Sequence, residues 1–356
     1  MNTRERFLNV FNYKPVDRYP DFEFGYWVET LEEWKKFGFP EHINNDWDAE
    51  RYFNFDYYKL VPTNTWIYPE FEKKVIEDRG DHQILQDIDG TIVEISKSSR
   101  SIPKYLKYPI ESRADWEKYR NERLNPFSPE RIPSNLDELI KEYEKRDYPL
   151  GIYCTSMYGR IRDALGVEFA SISLYDDRWL IEDMMETFTF IALTVLEKVL
   201  PKIKLDFSWW WEDICYNQGP LISPEIFKKI AVPRYRRIVD YLEKFGVKIH
   251  ILDCDGKIDE LVPLWLDAGI NCMFPLEAAH TDGFKLKKLY GNDLLLMGGV
   301  DKIQLIKGKK SIDEELVRVR KLMDLGGYIP HLDHRCPPDV TLDNYYYYIE
   351  KKREIL

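Results

Sequence analysis

A chain of 356 residues with 44% hydrophobic content carries enough apolar side chains for one large core. Its 51 basic and 62 acidic residues leave a net charge of −11, which argues against nucleic acid and anionic membranes as partners, since no basic face is at hand to neutralise phosphates. Five cysteines, odd in number and without C-x-x-C spacing, in a chain with no signal peptide and no apolar run of about 18 to 20 residues, point to a reduced, soluble, cytoplasmic protein.

Taken in chain order, a strand is predicted over residues 18–24 and another over 57–61. The stretch "KKVIEDRGDHQILQDIDGTIVEIS" then reads as antiparallel hairpins turning near Gly80 and at Asp89-Gly90. Residues 111–147 are charged and punctuated by proline, which predicts surface helices. From there short apolar runs alternate with longer amphipathic ones, placing strands over 149–154, 205–211, 248–253, 271–276, 294–297 and 328–332. Between two of them "SPEIFKKIAVPRYRRIVDYLEKFG" opens with Ser223 as N-cap and Pro224 at the first helical position, stops at Gly246, and should kink at Pro233. Eight strands with intervening helices predict an α/β fold, a (β/α)8 TIM-type barrel with an N-terminal β-hairpin and helical excursion. No linker or internal repeat interrupts it, so a single domain over 1–356 is expected, with its chemistry at the C-terminal strand ends.

Those ends are acidic. Glu212 and Asp213 follow "FSWWW", Asp253 and Asp255 stand in "HILDCDG", Glu277 ends "MFPLE", Asp301 ends "MGGVD", and Asp333-His334 end the strand of "GGYIPHLDHRCPPDV". Carboxylates converging from several strands repel one another unless a cation or shared protons offset them, so a divalent metal or raised pKa values are implied. The alternative is structural: Asp253 and Asp255 as helix caps, Asp333 and His334 as a hydrogen-bonded pair. His250, inside an apolar strand, reads as a core histidine, His331 is open to either reading, and Cys254 and Cys336 are either soft ligands or, as is commoner, small buried hydrophobes. In the run Trp209-Trp210-Trp211 the first and third share a face. With Tyr26, Trp27, Tyr153 and Tyr158 they would form an aromatic wall for a flat or cationic substrate; ordinary core packing is the competing account.

"NTRERFLNVFNYKPVDRYP", "LISPEIFKKIAVPRYRRI", "DCDG", "MGGVDK" and "GGYIPHLDHRCPPDVTLDNY", in this order and spacing, resemble the uroporphyrinogen decarboxylase superfamily along nearly the whole chain. The resemblance implies a (β/α)8 barrel and one of two activities: cofactor-free decarboxylation of uroporphyrinogen, or methyl transfer by zinc enzymes that work with corrinoid proteins or coenzyme M. The decarboxylases carry an arginine-rich loop after the first strand. Here that region reads "DFEFGYWVETLEEW", where Asp21, Glu23 and Glu29 would meet a polyanionic substrate and no guanidinium fork is present.

In the coenzyme M branch an H-x-C pair precedes glycine and a cysteine precedes the final "PP…N" segment. On this chain the pair falls on Asp253 and Asp255 before Gly256, and the last cysteine on His334. The resemblance is closest to corrinoid-dependent methyltransferase-like members. It implies a divalent metal, zinc being the expected one, on Asp253, Asp255 and His334, with Glu277 as fourth ligand or orienter. It also implies catalytic roles for Glu212, Asp213 and Asp333, a small-molecule methyl donor such as a methoxyaromatic or betaine, and a corrinoid supplied by a partner protein; a homodimer is compatible with it. The alternative expectation is a decarboxylase of tetrapyrrole metabolism, and a third is a binding protein that has lost catalysis.

Overall fold

The computed structural model describes residues 1–97 and 103–356. The chain begins with a helix, Thr3–Phe11, whose start is closed by a reciprocal capping box: Glu5 N–H donates to Asn2 Oδ1, and Asn2 N–H donates to the Glu5 carboxylate, both at 2.9 Å. Its apolar face, Phe7, Val10 and Phe11, fills the bottom of the barrel, with Phe7 5.5 Å from Phe207.

Strand β1 (Lys59–Val61) precedes an antiparallel sheet of β2 (Lys74–Asp78), β3 (His82–Gln86), β4 (Ile92–Ser96) and β5 (Lys104–Lys107). Its first two connections turn at Gly80 and Gly90, both with positive φ, as the sequence predicts, and Asp89 Oδ1 accepts from the Thr91 N–H and hydroxyl. Then come β6 (Leu150–Tyr153), β7 (Phe207–Trp211), the small pair β8 (Cys215–Tyr216) and β9 (Gly219–Pro220), β10 (His250–Asp253), β11 (Cys272–Phe274), β12 (Leu295–Val300) and β13 (Tyr328–Leu332).

Among the described residues seven strands pair in parallel in the order β1-β6-β7-β10-β11-β12-β13, with helices between them, which is an α/β barrel of the TIM type. The expected eighth strand, 18–24, is not regular strand, yet the extended segment takes its place. Asp21 C=O accepts from Asp56 N–H on the β1 side, and beyond β13 Gly25 C=O accepts from Cys336 N–H, both at 2.9 Å. The ladder fails in between because the Glu23 carboxylate, not a backbone carbonyl, takes the Leu332 N–H at 2.9 Å.

Two apolar layers follow from the period-2 alternation of the strands. Phe207, Trp209, Ile251, Phe274, Met297 and Ile329 point into the barrel, while Trp210, Leu252, Met273, Leu296, Tyr328 and Leu332 pack outward under the helices. The helix containing Pro233 breaks cleanly into Pro224–Ile230 and Val232–Lys244, with Ser223 at the cap position but its hydroxyl outside any cap bond. Residues 111–147 form the helices Arg113–Arg123 and Leu136–Tyr143, but not all of them stay on the surface. Arg131 is fully buried, donating to the carbonyls of Asn64, Trp66 and Asn125.

Gly298 marks where β12 runs against the exit of β11. Its φ is +97°, and a Cβ there would sit 1.8 Å from the Pro275 carbonyl oxygen, a backbone atom that cannot swing aside. Strain and overpacking add, so Gly298→Ala is expected to cost about 3 kcal/mol or more in denaturant unfolding. A loss below about 1 kcal/mol would contradict this close approach.

Candidate active site

The register sets Trp211, Asp253 and Phe274 side by side at the C-terminal end of the sheet, all facing inward. Just below, Trp209 stacks on Tyr58 at 5.6 Å and meets Phe274 edge-on at 4.8 Å, and Phe274 meets Phe24 edge-on at 4.6 Å. This is an aromatic floor across the barrel mouth. Trp209 and Trp211 share a face, as alternation requires, whereas Trp210 is turned outward, its Nε1–H on Ser208 Oγ at 2.8 Å. Tyr58, Phe24 and Phe274 belong to this floor although no sequence signal singled them out; only Phe274 lies in a regular strand, where inward parity was the available clue.

Three carboxylates stand above the floor. Burial and the neighbouring charges of Asp255 and Asp213 push the pKa of Asp253 well above the ordinary range, with Arg335 opposing them. Asp255 Oδ2 is 3.5 Å from His334 Nε2, and Asp255 Oδ1 is buried without a hydrogen-bond partner among the described residues. Asp213 sits at φ +46°, uncommon for a residue with a side chain, and burial followed by the charge of Asp255 raises its pKa too. Burial works against an imidazolium at His334, but the hydrogen bond and charge of Asp255 prevail and raise its pKa. The Trp27 indole stacks on the His334 ring at 5.6 Å, so Trp27 is at the mouth and fixes the imidazole.

Glu277 and Asp333 are differently occupied. Glu277 accepts from Gly256 N–H at 3.0 Å and from Lys302 Nζ at 3.1 Å. Asp333 is fully buried and accepts from the Ala278 and Lys302 N–H groups at 3.0 and 3.1 Å, tying the exits of β11, β12 and β13 together. Lys302 is thus a built-in cation for these two acids, and Asp333 is placed as a clamp rather than as a group touching substrate.

Glu212 corrects its expected catalytic role in the same way. It is fully buried and accepts from the N–H groups of Met157, Tyr158 and Gly159, from Ser156 Oγ and from the Tyr235 hydroxyl, holding the loop after β6.

Two of the expected wall residues also lie elsewhere. Tyr26 is buried behind the closing segment, its hydroxyl 2.8 Å from that of Tyr345 and its ring against Trp34. Tyr158 is fully buried in the outer apolar layer. Tyr153 and Trp211 remain half-buried at the rim. The acids of "DFEFGYW" are not presented to a substrate as expected: Asp21 lies 2.9 Å from Lys352 and 2.7 Å from Arg353, and the buried Glu23 faces Lys352 at 3.8 Å. His250 and His331 are fully buried, burial lowering each pKa to about 3. Cys254 and Cys336 are buried, free thiols.

Beside the acids opens a cavity of about 840 Å³ lined by Asp213, Asp255, Arg162 and Tyr216 and, from the excursion, Tyr105 and Tyr108. Tyr105 and Tyr108 stack at 5.6 Å, so the excursion supplies one wall of the mouth. Neither tyrosine, nor Arg162, which is 3.6 Å from Asp213, was legible as a site residue, because the excursion reaches the mouth only through the fold.

Among the described residues no three His, Cys, Asp or Glu side chains surround one point closely enough to share an ion. The donor chemistry of Asp253, Asp255 and His334 nonetheless suits a divalent ion: an unpartnered buried carboxylate oxygen, a second carboxylate strained by like charges, and an imidazole beside them. Glu277, held by Lys302 and Gly256, is not free to join them.

No helix among the described residues is long and apolar enough to cross a membrane. In a comparison with curated proteins, the uroporphyrinogen decarboxylase of Helicobacter acinonychis (strain Sheeba) is 28% identical over 146 residues, 41% of this chain and 35% of that protein, so the match spans about a third of the relative's length. Among solved structures, a methyltransferase from Methanosarcina mazei shares the fold with a TM-score of 0.63 at 14% identity, over 99% of both chains. The family model "Uroporphyrinogen decarboxylase (URO-D)" matches residues 160–355, more than half of the chain and all of the strand ends from β7 to β13, and the chain therefore belongs to the uroporphyrinogen decarboxylase family.

Proposed function

We propose that the chain, acting as one domain over 1–356, is a methyltransferase that passes a methyl group from a small methylated compound, a methoxyaromatic or a betaine, to a corrinoid carried by a partner protein. The observation that carries this reading is the pairing of an aromatic floor (Tyr58, Trp209, Phe274, Phe24) with a rim of Asp213, Asp253, Asp255 and His334. A flat ring or a methylated ammonium is matched by the first through stacking or cation–π contact and by the second through charge. The full-length likeness to the Methanosarcina methyltransferase supports the fold of this reading and no more.

Asp253, Asp255 and His334 would hold a divalent ion, zinc being the expected one, and such an ion when bound would supply Lewis acidity toward the ether oxygen of a methoxy donor. The chain's own residues do the rest. The floor orients the donor with its methyl group toward the open mouth. Trp27 keeps the His334 ring from turning. Asp213, its pKa raised by burial and by Asp255, is placed to give a proton to the ether oxygen of a methoxy donor as the methyl bond breaks, whereas a betaine leaves as a neutral amine and needs none.

The decarboxylase reading has the Helicobacter relative in its favour, but the segment 21–34 offers no arginine to a polycarboxylate. Calorimetry is expected to show neutral or cationic methylated compounds binding more tightly than uroporphyrinogen analogues with many carboxylates. Incubation with reduced cobalamin and a panel of methoxyaromatics and betaines should yield methylcobalamin, read from its absorption spectrum. Tight binding of the polyacid, together with release of carbon dioxide and no methylation, would overturn the proposal.

A further inference from the structure

Arg160 is the second residue of the helix Gly159–Leu165, which starts directly after the loop leaving β6. Its guanidinium lies over three rings at once, 4.4 Å from the centroid of Trp66, 5.2 Å from Trp211 and 5.7 Å from Tyr153, and Nη2 donates to the Tyr153 hydroxyl at 3.3 Å. Trp211 and Tyr153 both point into the barrel mouth, so the cation stands over the mouth as well.

Two facts set Arg160 apart from its neighbour Arg162. Arg162 is neutralised, with Asp163 at 3.1 Å and Asp213 at 3.6 Å. Arg160 has no ion-pair partner among the described residues, in a chain that carries eleven more acids than bases. Stacking engages the faces of a guanidinium and leaves its N–H edges free, and Arg160, Trp66, Tyr153 and Trp211 are each only half-buried, so those edges are accessible from the mouth. A planar fork already fixed against aromatic rings loses little entropy on pairing, which suits a planar, singly charged partner. A dianion is disfavoured by the carboxylates of Asp253 and Asp255, which stand at the end of the strand beside Trp211.

We infer that Arg160, framed by Trp66, Tyr153 and Trp211, is the subsite for a carboxylate on the substrate, so that the methyl donor is a small methylated carboxylic acid. The inference rests on the proposed methyl-transfer reading only for the word donor; the carboxylate subsite stands on the geometry alone. The mouth is then bipolar. The acid group is taken by Arg160, and the methylated end is directed to the side of Asp213, Asp253 and Asp255.

The test uses two matched pairs of probes, 4-methoxybenzoate against 4-methoxybenzamide and glycine betaine against choline, titrated calorimetrically into the full chain without any corrinoid. In the wild type the carboxylate of at least one pair should bind about 10- to 100-fold more tightly than its partner, the range of a charge-assisted hydrogen-bonded pair. Arg160→Gln should bring that ratio to within about 3-fold of unity, and Arg160→Lys should keep part of it. Should Arg160→Gln not fold, Arg160→Lys and Arg160→Met provide the same comparison. Equal binding within both pairs, discrimination that persists when the guanidinium is gone, or no binding of any of the four probes overturns the subsite. Discrimination without methyl transfer to reduced cobalamin leaves the subsite standing and removes the methyl-transfer reading instead.

Discussion

Titrated with zinc after gentle removal of any bound metal, the chain is expected to take up about one ion, and His334→Ala or Asp255→Ala to weaken that uptake by about 100-fold or more. The physical basis is the shortage of donors. With Glu277 committed to Lys302 and Gly256, the proposed ligands reduce to Asp253, Asp255 and His334, which would have to draw together around the ion, so that loss of any one would leave too few. Glu277→Gln should accordingly matter far less than either of the two. His250→Ala is the control: that imidazole is on the outward face of β10, its Nδ1 2.7 Å from Ser208 Oγ, so its loss should lower stability and leave stoichiometry unchanged. Elemental analysis with competitive titration reads both. A chain that takes up no zinc, or an Asp255→Ala/His334→Ala double variant that takes up as much as the wild type, would remove the metal from the proposed mechanism.

The second large effect belongs to Glu212. Alanine in its place leaves the N–H groups of Met157, Tyr158 and Gly159 and the hydroxyls of Ser156 and Tyr235 without their common acceptor in a fully buried pocket. Each unsatisfied group carries its own desolvation cost, so Glu212→Ala is expected to cost about 3 to 5 kcal/mol in denaturant unfolding. Glu212→Gln, which keeps one acceptor oxygen, should cost roughly half as much. The consequence reaches the site, because the loop held by Glu212 leads into the helix that sets Arg160 and Arg162 over Trp211. A Glu212→Ala protein as stable as wild type but inactive would instead make Glu212 a participant in the chemistry.

Legibility in the sequence follows the range of the interaction. The final strand was readable as residues 328–332, and it is Tyr328–Leu332, because an apolar run, two glycines before it and Pro337-Pro338 after it are all local. The break at Pro233 and the turns at Gly80 and Gly90 were readable for the same reason, a backbone constraint carried by the residue itself. In the run "YYYY" the split into buried Tyr345 and Tyr348 and the more exposed Tyr346 follows from helical period alone.

By itself, then, the sequence determined the barrel, its hairpin excursion, and which carboxylates stand at strand ends, since all of these are written in periods of two and 3.6 and in turn residues. Tertiary structure alone decided which of those charges remain available. Asp21 and Glu23 looked like a repelling acidic loop, but Lys352 and Arg353 of the last helix, the latter 332 positions after Asp21, neutralise them inside the fold. Glu277 and Asp333 are satisfied by Lys302, and Glu212 by a loop more than fifty residues earlier. Arg160, in contrast, has no ion-pair partner among the described residues and lies among rings from three separate segments. The reason is that a charge's fate depends on what is packed within a few ångströms of it, and pairing across hundreds of residues leaves no mark in any local pattern.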